Sequence, residues 1–350
     1  MMTYSKSLAG LLIILMVTLI QSNDVFSCSR VMYQGPNNTI ITARSMDWEE
    51  DIGTNLWIFP RGMKRNGETP PNSVQWTSKY GSVIASAFDI SSSDGMNEKG
   101  LVANLLWLAE SEYADWDQKK PGLTISAWVQ YILDNFSTVD EAVEEMQKGN
   151  FEIITSDIPG TKVRVTCHLA ISDASGDNAV FEYIKGQLVI HHGRTYTVVT
   201  NSPTYDKQLA LNEYWKEIGG TTFLPGTNRA ADRFVRASFY INAIPQTDDT
   251  RLSVASVFSV IRNCSVPLGI STPNQPNISS TLWRSVSDQK NKVYYFETTT
   301  TPNTFWIDFK NVDFSESASV KKLNLTKGEI YSGNAADQFM AATAFKFEGL

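Results

Sequence analysis

The sequence predicts an α+β fold, with helices packed over two antiparallel sheets, and three observations carry that expectation. Strand-like and helical patterns come in blocks, strands then helices then strands then helices then strands, which describes stacked layers. The first block opens on a hairpin: Arg30 to Gln34, the turn Gly35-Pro36-Asn37-Asn38, then Thr39 to Ala43. The 13 Pro and 21 Gly residues are scattered, and no Ser/Gly/Pro linker or charge run divides the chain, so residues 28–350 read as one domain.

After the hairpin, strand patterns follow at Leu56 to Phe59, Ser82 to Phe88 and Leu101 to Trp107, with Asp94-Gly95 and Lys99-Gly100 as turns. Thr124 to Asn135 is amphipathic through Trp128 and Ile132. Thr138-Val139-Asp140-Glu141 is a capping box opening a second helix, with Val139, Ala142, Val143 and Met146 on one face and Gly149 as its stop. Strands return at Val163 to Ser172, Ala179 to Ile184 and Thr195 to Thr200. The last runs into Asn201-Ser202-Pro203, where Pro203 cannot extend it and leaves Asn201 at an open end. Helical patterns cover Tyr205 to Lys216, Arg229 to Ala243 and Ser253 to Ile261, and Thr281 to Ser287, Val293 to Thr298 and Phe305 to Phe309 close the chain as strands.

Residues 1–27 carry Lys6, an apolar run from Leu8 to Ile20, polar Gln21 to Asp24, and small Val25 and Ser27 where signal peptidase reads them. They predict a cleaved signal peptide and an exported chain, periplasmic or secreted, that begins at Cys28. The run is too short for a permanent membrane span. Lipidation of Cys28 is the competing outcome, which bulky Phe26 disfavours. A net charge of −7 argues against a nucleic-acid partner.

Three Cys in an exported chain do not make a disulfide framework. Cys167, in a strand pattern, and Cys264, after a helical run, read as packing residues, which leaves Cys28 free. The three His are His168, His191 and His192, and no Cys or His spacing suits zinc, so neither a metal nor a Cys-His dyad is expected. His168 alternates with apolar neighbours and reads as a satisfied core residue.

A Cys at position one carries a nucleophile and a base together, since an α-amine titrates near ~8 and a thiol near ~8.5. The hairpin pins that terminus in a sheet and brings Arg44 and Asp47 back beside it. Arg44 there favours thiolate and Asp47 holds the amino group's proton, against the alternative that each belongs to a surface ion pair. Asn201 reads either as an oxyanion donor or as a turn former, and Trp107, at a strand end, as a core aromatic.

Five segments in order, Cys28, Arg44-Ser45-Met46-Asp47, Asp94 to Leu101, Thr200-Asn201-Ser202-Pro203 and Asp232 to Arg236, carry a resemblance over nearly the whole mature chain. The sequence resembles the choloylglycine hydrolase (conjugated bile salt hydrolase) and penicillin V acylase family of amino-terminal-nucleophile (Ntn) hydrolases, whose fold is a four-layer αββα sandwich. The resemblance implies Cys28 as nucleophile with its own amine as base, and Arg44 and Asp47 as the charged pair beside it. It implies Asn201 as the oxyanion-stabilising residue and Arg233 as a second active-site arginine. Trp107 departs from the pattern, standing where bile salt hydrolases commonly carry Asn and Gram-positive penicillin acylases Tyr. A backbone donor survives that change, so the departure bears on substrate preference, as a substrate-binding residue, and is similar to the exported Gram-negative branch.

What the resemblance implies is hydrolysis of linear amides without a cofactor, by a homotetramer. Conjugated bile salts are the leading substrate, with penicillin V or N-acyl-homoserine lactones as alternatives. A lipid-anchored bile-acid-binding protein without turnover is the competing expectation from another class.

Overall fold

The computed structural model describes residues 27–271 and 279–350, so the leader expected over residues 1–27 lies, but for Ser27, outside the described residues. Among the described residues no helix is long and apolar enough to cross a membrane.

Two large sheets stack face to face. The first is built on the opening hairpin, β1 (Ser27–Gly35) and β2 (Thr39–Trp48). The second takes β3 (Leu56–Phe59), β4 (Ser82–Ala87), β5 (Ser91–Asn97), β6 (Val102–Trp107), β7 (Cys167–Ser172), β8 (Asn178–Ile184) and β9 (Gln187–His192), in the spatial order β9-β8-β7-β6-β5-β4-β3. The chain then returns to the first sheet through β10 (Val198–Val199), β11 (Ser280–Asp288), β12 (Val293–Thr298) and β13 (Phe305–Asp308), giving the order β10-β1-β2-β11-β12-β13. Every one of these pairings is antiparallel; short segments at Gly333–Asn334, Lys321–Leu323 and Met340–Ala341 extend the far edges.

Helices cover both outer faces. α1 (Ile125–Asn135) lies over β5 and β6, and α2 (Val139–Lys148) over β8. On the opposite side α4 (Ala230–Ala243) packs on β1 and α5 (Thr250–Asn263) on β2 and β11, with α3 (Tyr205–Ile218) against α4. One apolar core fills the space between the sheets and beneath α4 and α5; a second lies under α1 and α2. The four layers are thus the expected αββα arrangement.

Local chemistry explains most of the element ends. Thr138 Oγ1 accepts the Glu141 N–H at 3.3 Å, the cap that was expected, while Glu141 reaches one residue further back, to the Ser137 N–H at 2.7 Å. Gly149 ends α2 in the left-handed conformation, at φ 58.

Three expectations are corrected. Asp94-Gly95 is not a turn but the middle of β5, where a Cβ on Gly95 would stand 2.7 Å from the Val83 carbonyl oxygen and 2.9 Å from Leu133 Cδ1 of α1. The glycine lets the helix approach the sheet. The patterns at Val163 to Ser172 and Thr195 to Thr200 shorten to Cys167–Ser172 and Val198–Val199. Strand β9 was not anticipated, because as an edge strand it has no cleanly apolar face. The usable signal was Lys185-Gly186, both at positive φ (52 and 74), which forms the two-residue turn favoured in hairpins.

Candidate active site

The register of the first hairpin assigns the site's residues to faces. Cys28 pairs with Met46, Arg30 with Arg44, and Ser27 with Asp47. Side chains alternate along a strand, so Cys28, Arg30, Arg44 and Met46 point toward the second sheet, while Ser27, Ser29, Ser45 and Asp47 point toward α4. Arg44 and Asp47 therefore flank Cys28 from opposite sides. Neither belongs to a surface ion pair: both are buried.

On the inner face, Arg44 Nη2 lies 3.7 Å from Cys28 Sγ, and Met46 Sδ lies 4.0 Å from the same sulfur. The guanidinium is aimed by two carbonyls, Nη1 donating to Ser93 O at 2.8 Å and Nη2 to Leu105 O at 2.6 Å, and it lies over the Trp283 ring. Its carboxylate neighbour is Asp94, at 3.8 Å. Asp94 also accepts from Tyr294 Oη, from Ser285 Oγ at 3.1 Å and from Asn104 Nδ2 at 2.6 Å. Burial raises the Asp94 pKa, opposed by Arg44 and these donors.

On the outer face Arg233 gathers the backbone of the site. It donates to Cys28 O at 2.7 Å, to Ser29 Oγ at 2.5 Å and to Asn201 Oδ1 at 2.8 Å. The Asn201 amide is oriented by that contact, because a guanidinium only donates and must face the oxygen. Asn201 Oδ1 also accepts the Cys28 N–H, and Asn201 Nδ2 donates to Trp107 O at 2.7 Å. Asp47 Oδ1 accepts from Thr281 Oγ1 at 2.6 Å; Asp47 Oδ2 has no hydrogen-bond partner and stands 3.9 Å from Arg233 Nη1. Burial outweighs Arg233 and pushes the Asp47 carboxyl up to about 6.

The thiol opens on an apolar cavity of about 810 Å³, counting its open mouth. Trp107 and Trp48 stand in its wall in edge-to-face contact, with ring centroids 5.7 Å apart. Ile52, Phe88 and Ile158 line it as well. All six residues selected from the sequence, Cys28, Arg44, Asp47, Trp107, Asn201 and Arg233, thus meet at one place, drawn from β1, β2, β6, α4 and the chain just after β10.

Sequence reasoning missed Asp94, Met46 and Trp48. Asp94 was hidden by the turn-like Asp-Gly pair, because a polar stretch buried on both faces of a strand has no apolar alternation to reveal it.

The other reactive groups are accounted for structurally. His168 Nδ1 meets Glu182 Oε1 at 3.1 Å and Nε2 meets Thr200 O at 2.8 Å, so it is the satisfied core histidine that was expected. Burial would raise Glu182, but His168, His191 and the Tyr205 N–H outweigh it and hold that carboxyl down at about 2. Burial pushes the Cys264 thiol up to about 11 and raises Cys167 too. Among the described residues, Asp140, Asp177 and His192 have side-chain geometry that could hold a metal ion, and none of the three lines the cavity.

A layered sandwich of two antiparallel sheets with this buried cluster at the head of an apolar cavity has the fold of the Ntn hydrolases. The family follows from the sequence match: residues 28–322 fit the model of linear amide C–N hydrolases of the choloylglycine hydrolase family, and the chain belongs to that family. It is 52% identical over 348 residues to a penicillin V acylase of Pectobacterium atrosepticum, covering 93% of each chain. A penicillin V acylase structure from Agrobacterium tumefaciens matches with a TM-score of 0.87 at 61% identity, covering 92% of this chain and 100% of that one. A bile salt hydrolase/transferase of Clostridium perfringens is more distant, 26% identical over 324 residues, with 84% of this chain and 96% of the relative covered.

Proposed function

We propose that the chain is an amino-terminal-cysteine amidase that removes apolar, aryl-bearing acyl groups from small polar amines, with penicillin V as the model substrate. The observation that carries this reading is the buried Cys28 lining an apolar cavity, its sulfur 3.7 Å from a buried guanidinium. The Cys28 thiol passes its proton to the α-amine and attacks the amide carbonyl as a thiolate, 3.7 Å from the Arg44 guanidinium. Asn201 Nδ2 gives one hydrogen to Trp107 O and offers the second to the oxyanion, together with a backbone donor near Trp107. The leaving amine takes its proton from the α-amino group, and water clears the acyl-enzyme.

That chemistry requires a free amine. With Ser27 in place the Cys28 nitrogen is a peptide nitrogen, which cannot accept a proton. Removal of residues 1–27, which we place at export, frees it beside Asp47, whose unpartnered oxygen is ready for an ammonium group. The relatives at 52% and 61% identity support an aryl acyl group over the conjugated bile salts expected from the resemblance. Bile salts remain the second reading, supported by the bile salt hydrolase/transferase relative at 26% identity.

The test is a form in which one Ala is held in front of Cys28, assayed beside the mature protein on penicillin V, glycocholate and taurocholate. The mature form is expected to hydrolyse penicillin V fastest, and the extended form to be inactive. Full turnover with the Ala still attached by mass removes the amino-terminal-nucleophile reading, and faster turnover of either bile salt reverses the substrate assignment.

A further inference from the structure

Buried charges need counter-charges, because an uncompensated ion in a low-dielectric interior is costly. Around Cys28 the described residues place three fully buried guanidinium groups, Arg30, Arg44 and Arg233, and two fully buried carboxyls, Asp47 and Asp94. Asp47 is the neighbour of Arg233, at 3.9 Å. Asp94 is left to serve two arginines. It lies 3.8 Å from Arg44 directly, and it reaches Arg30 through one side chain: Asn104 Nδ2 donates to Asp94 Oδ2 at 2.6 Å while Asn104 Oδ1 accepts from Arg30 Nε at 2.9 Å.

Among the described residues the other titratable group acting on Arg30 is the Tyr205 phenol, which burial raises and keeps neutral. Arg30 Nη2 donates to the neutral Asn178 Oδ1 at 3.1 Å and its Nη1 has no partner. The other groups facing Asp94, Tyr294 from β12 and Ser285 from β11, are neutral donors, and burial together with Asp94 holds the Tyr294 phenol well above its ordinary pKa.

We propose that Asp94 is a positioning residue for catalysis: it is the shared counter-ion of Arg44 and Arg30, and it sets the positive charge that the Cys28 sulfur meets. With Asp47 and Asp94 ionised these five side chains carry one positive charge in excess, the α-ammonium of mature Cys28 adds another while it is protonated, and a Cys28 thiolate offsets one of them. Without Asp94 the excess is larger by one. Arg44 keeps its direction in either case, because the Ser93 and Leu105 carbonyls also hold it. The thiol is also faced by Arg233 and Asp47 across the strand, by Cys167 from β7 and by the α-amino group of Cys28 itself, and these groups are common to the wild-type and both variants. The inference rests on the reading of Cys28 as the nucleophile.

Two variants with opposite signs test it. In Asp94→Asn the pH profile of iodoacetamide alkylation at Cys28, located by peptide mass, is expected to move to lower pH by half a unit or more. That is about a threefold faster reaction on the acid limb. In Arg30→Gln, which touches neither substrate nor sulfur, the profile is expected to move to higher pH. A purely structural role lowers the melting temperature of both variants and moves neither profile. Shifts of the expected opposite signs support the counter-ion role; an unmoved profile, or movement in the same direction in both, overturns it. Should Asp94→Asn fail to fold, Arg30→Gln alone decides by the same criterion. Turnover of the mature wild-type after alkylation is followed separately: if activity survives complete labelling of Cys28, the nucleophile reading has failed, whatever the variants show.

Discussion

Trp107 meets the site with two different parts of itself. Its carbonyl oxygen fixes the Asn201 amide at 2.7 Å, while its ring stands in the cavity wall against Trp48. A side-chain substitution separates the two, since Trp107→Ala keeps the carbonyl and removes a ring that buries on the order of 200 Å². Substrate binding is therefore expected to weaken more than the chemical step: KM for penicillin V rises about tenfold while kcat stays within about threefold. The competing outcome is a truncated core aromatic, with stability lower by ~3–5 kcal/mol and an unchanged ratio of penicillin V to glycocholate turnover. That ratio, measured with the melting temperature, decides. At this scale the sequence was most informative where one short hairpin did the work, because register alone places Arg44 and Asp47 around Cys28. It could not show that the two arginines and two aspartates sort into Arg44 with Asp94 and Arg233 with Asp47. That sorting depends on strands and a helix up to about two hundred residues apart in the chain.

Elements were legible in proportion to their length and to the cleanness of their buried face. The two hairpin strands, all five helices and the three late strands have strong patterns and stand where expected. β9 and the edge segments do not, because partners far along the chain decide whether a half-exposed stretch pairs. β5 is the instructive miss. An Asp-Gly pair is a turn signal only while its glycine is free to adopt positive φ, and in β5 the absence of a side chain serves a close approach instead. Gly95→Ala tests this. The new methyl would meet Ile84 Cγ2 and the Val83 carbonyl oxygen, both at 2.7 Å, and a backbone oxygen within a paired strand cannot move aside. A loss of ~1–3 kcal/mol is expected by denaturant unfolding, with the fold retained by circular dichroism. Unchanged stability would show that α1 does not press on β5 as described.

The four layers as a whole were legible from the order of pattern blocks, but a property of the assembled interior was not: burial raises some carboxyls, while hydrogen-bonded partners outweigh it and lower another. Asp47 is raised to about 6, so the folded state holds its proton more tightly than the unfolded chain does. Its contribution is fully present below the unfolded value near 3.8 and is lost as pH rises toward 6, by ~3 kcal/mol at about 1.4 kcal/mol per pH unit. Glu182, held down at about 2, has the opposite sign: its contribution is present above 4.5 and lost as pH falls toward 2. Asp94 and Asp134 are raised as well, and act in the same sense as Asp47. The form carrying one residue before Cys28 is therefore expected to be most stable near pH 4–5, with a melting temperature that declines toward pH 7. Cleavage acts on the Asp47 contribution and adds the α-amine, which stays protonated over most of this range. A free ammonium group at Cys28 beside Asp47 favours the carboxylate and cancels the Asp47 share of that decline, while Glu182, Asp94 and Asp134 act equally in both forms. Melting temperatures from pH 4 to 8 for the extended and mature proteins are thus expected to diverge above pH 5, the mature form declining less, and Asp47→Asn in the extended form is expected to flatten its curve. Parallel curves for the two forms would mean that the new terminus does not meet Asp47, and that the base and its carboxylate have been assigned to the wrong pair.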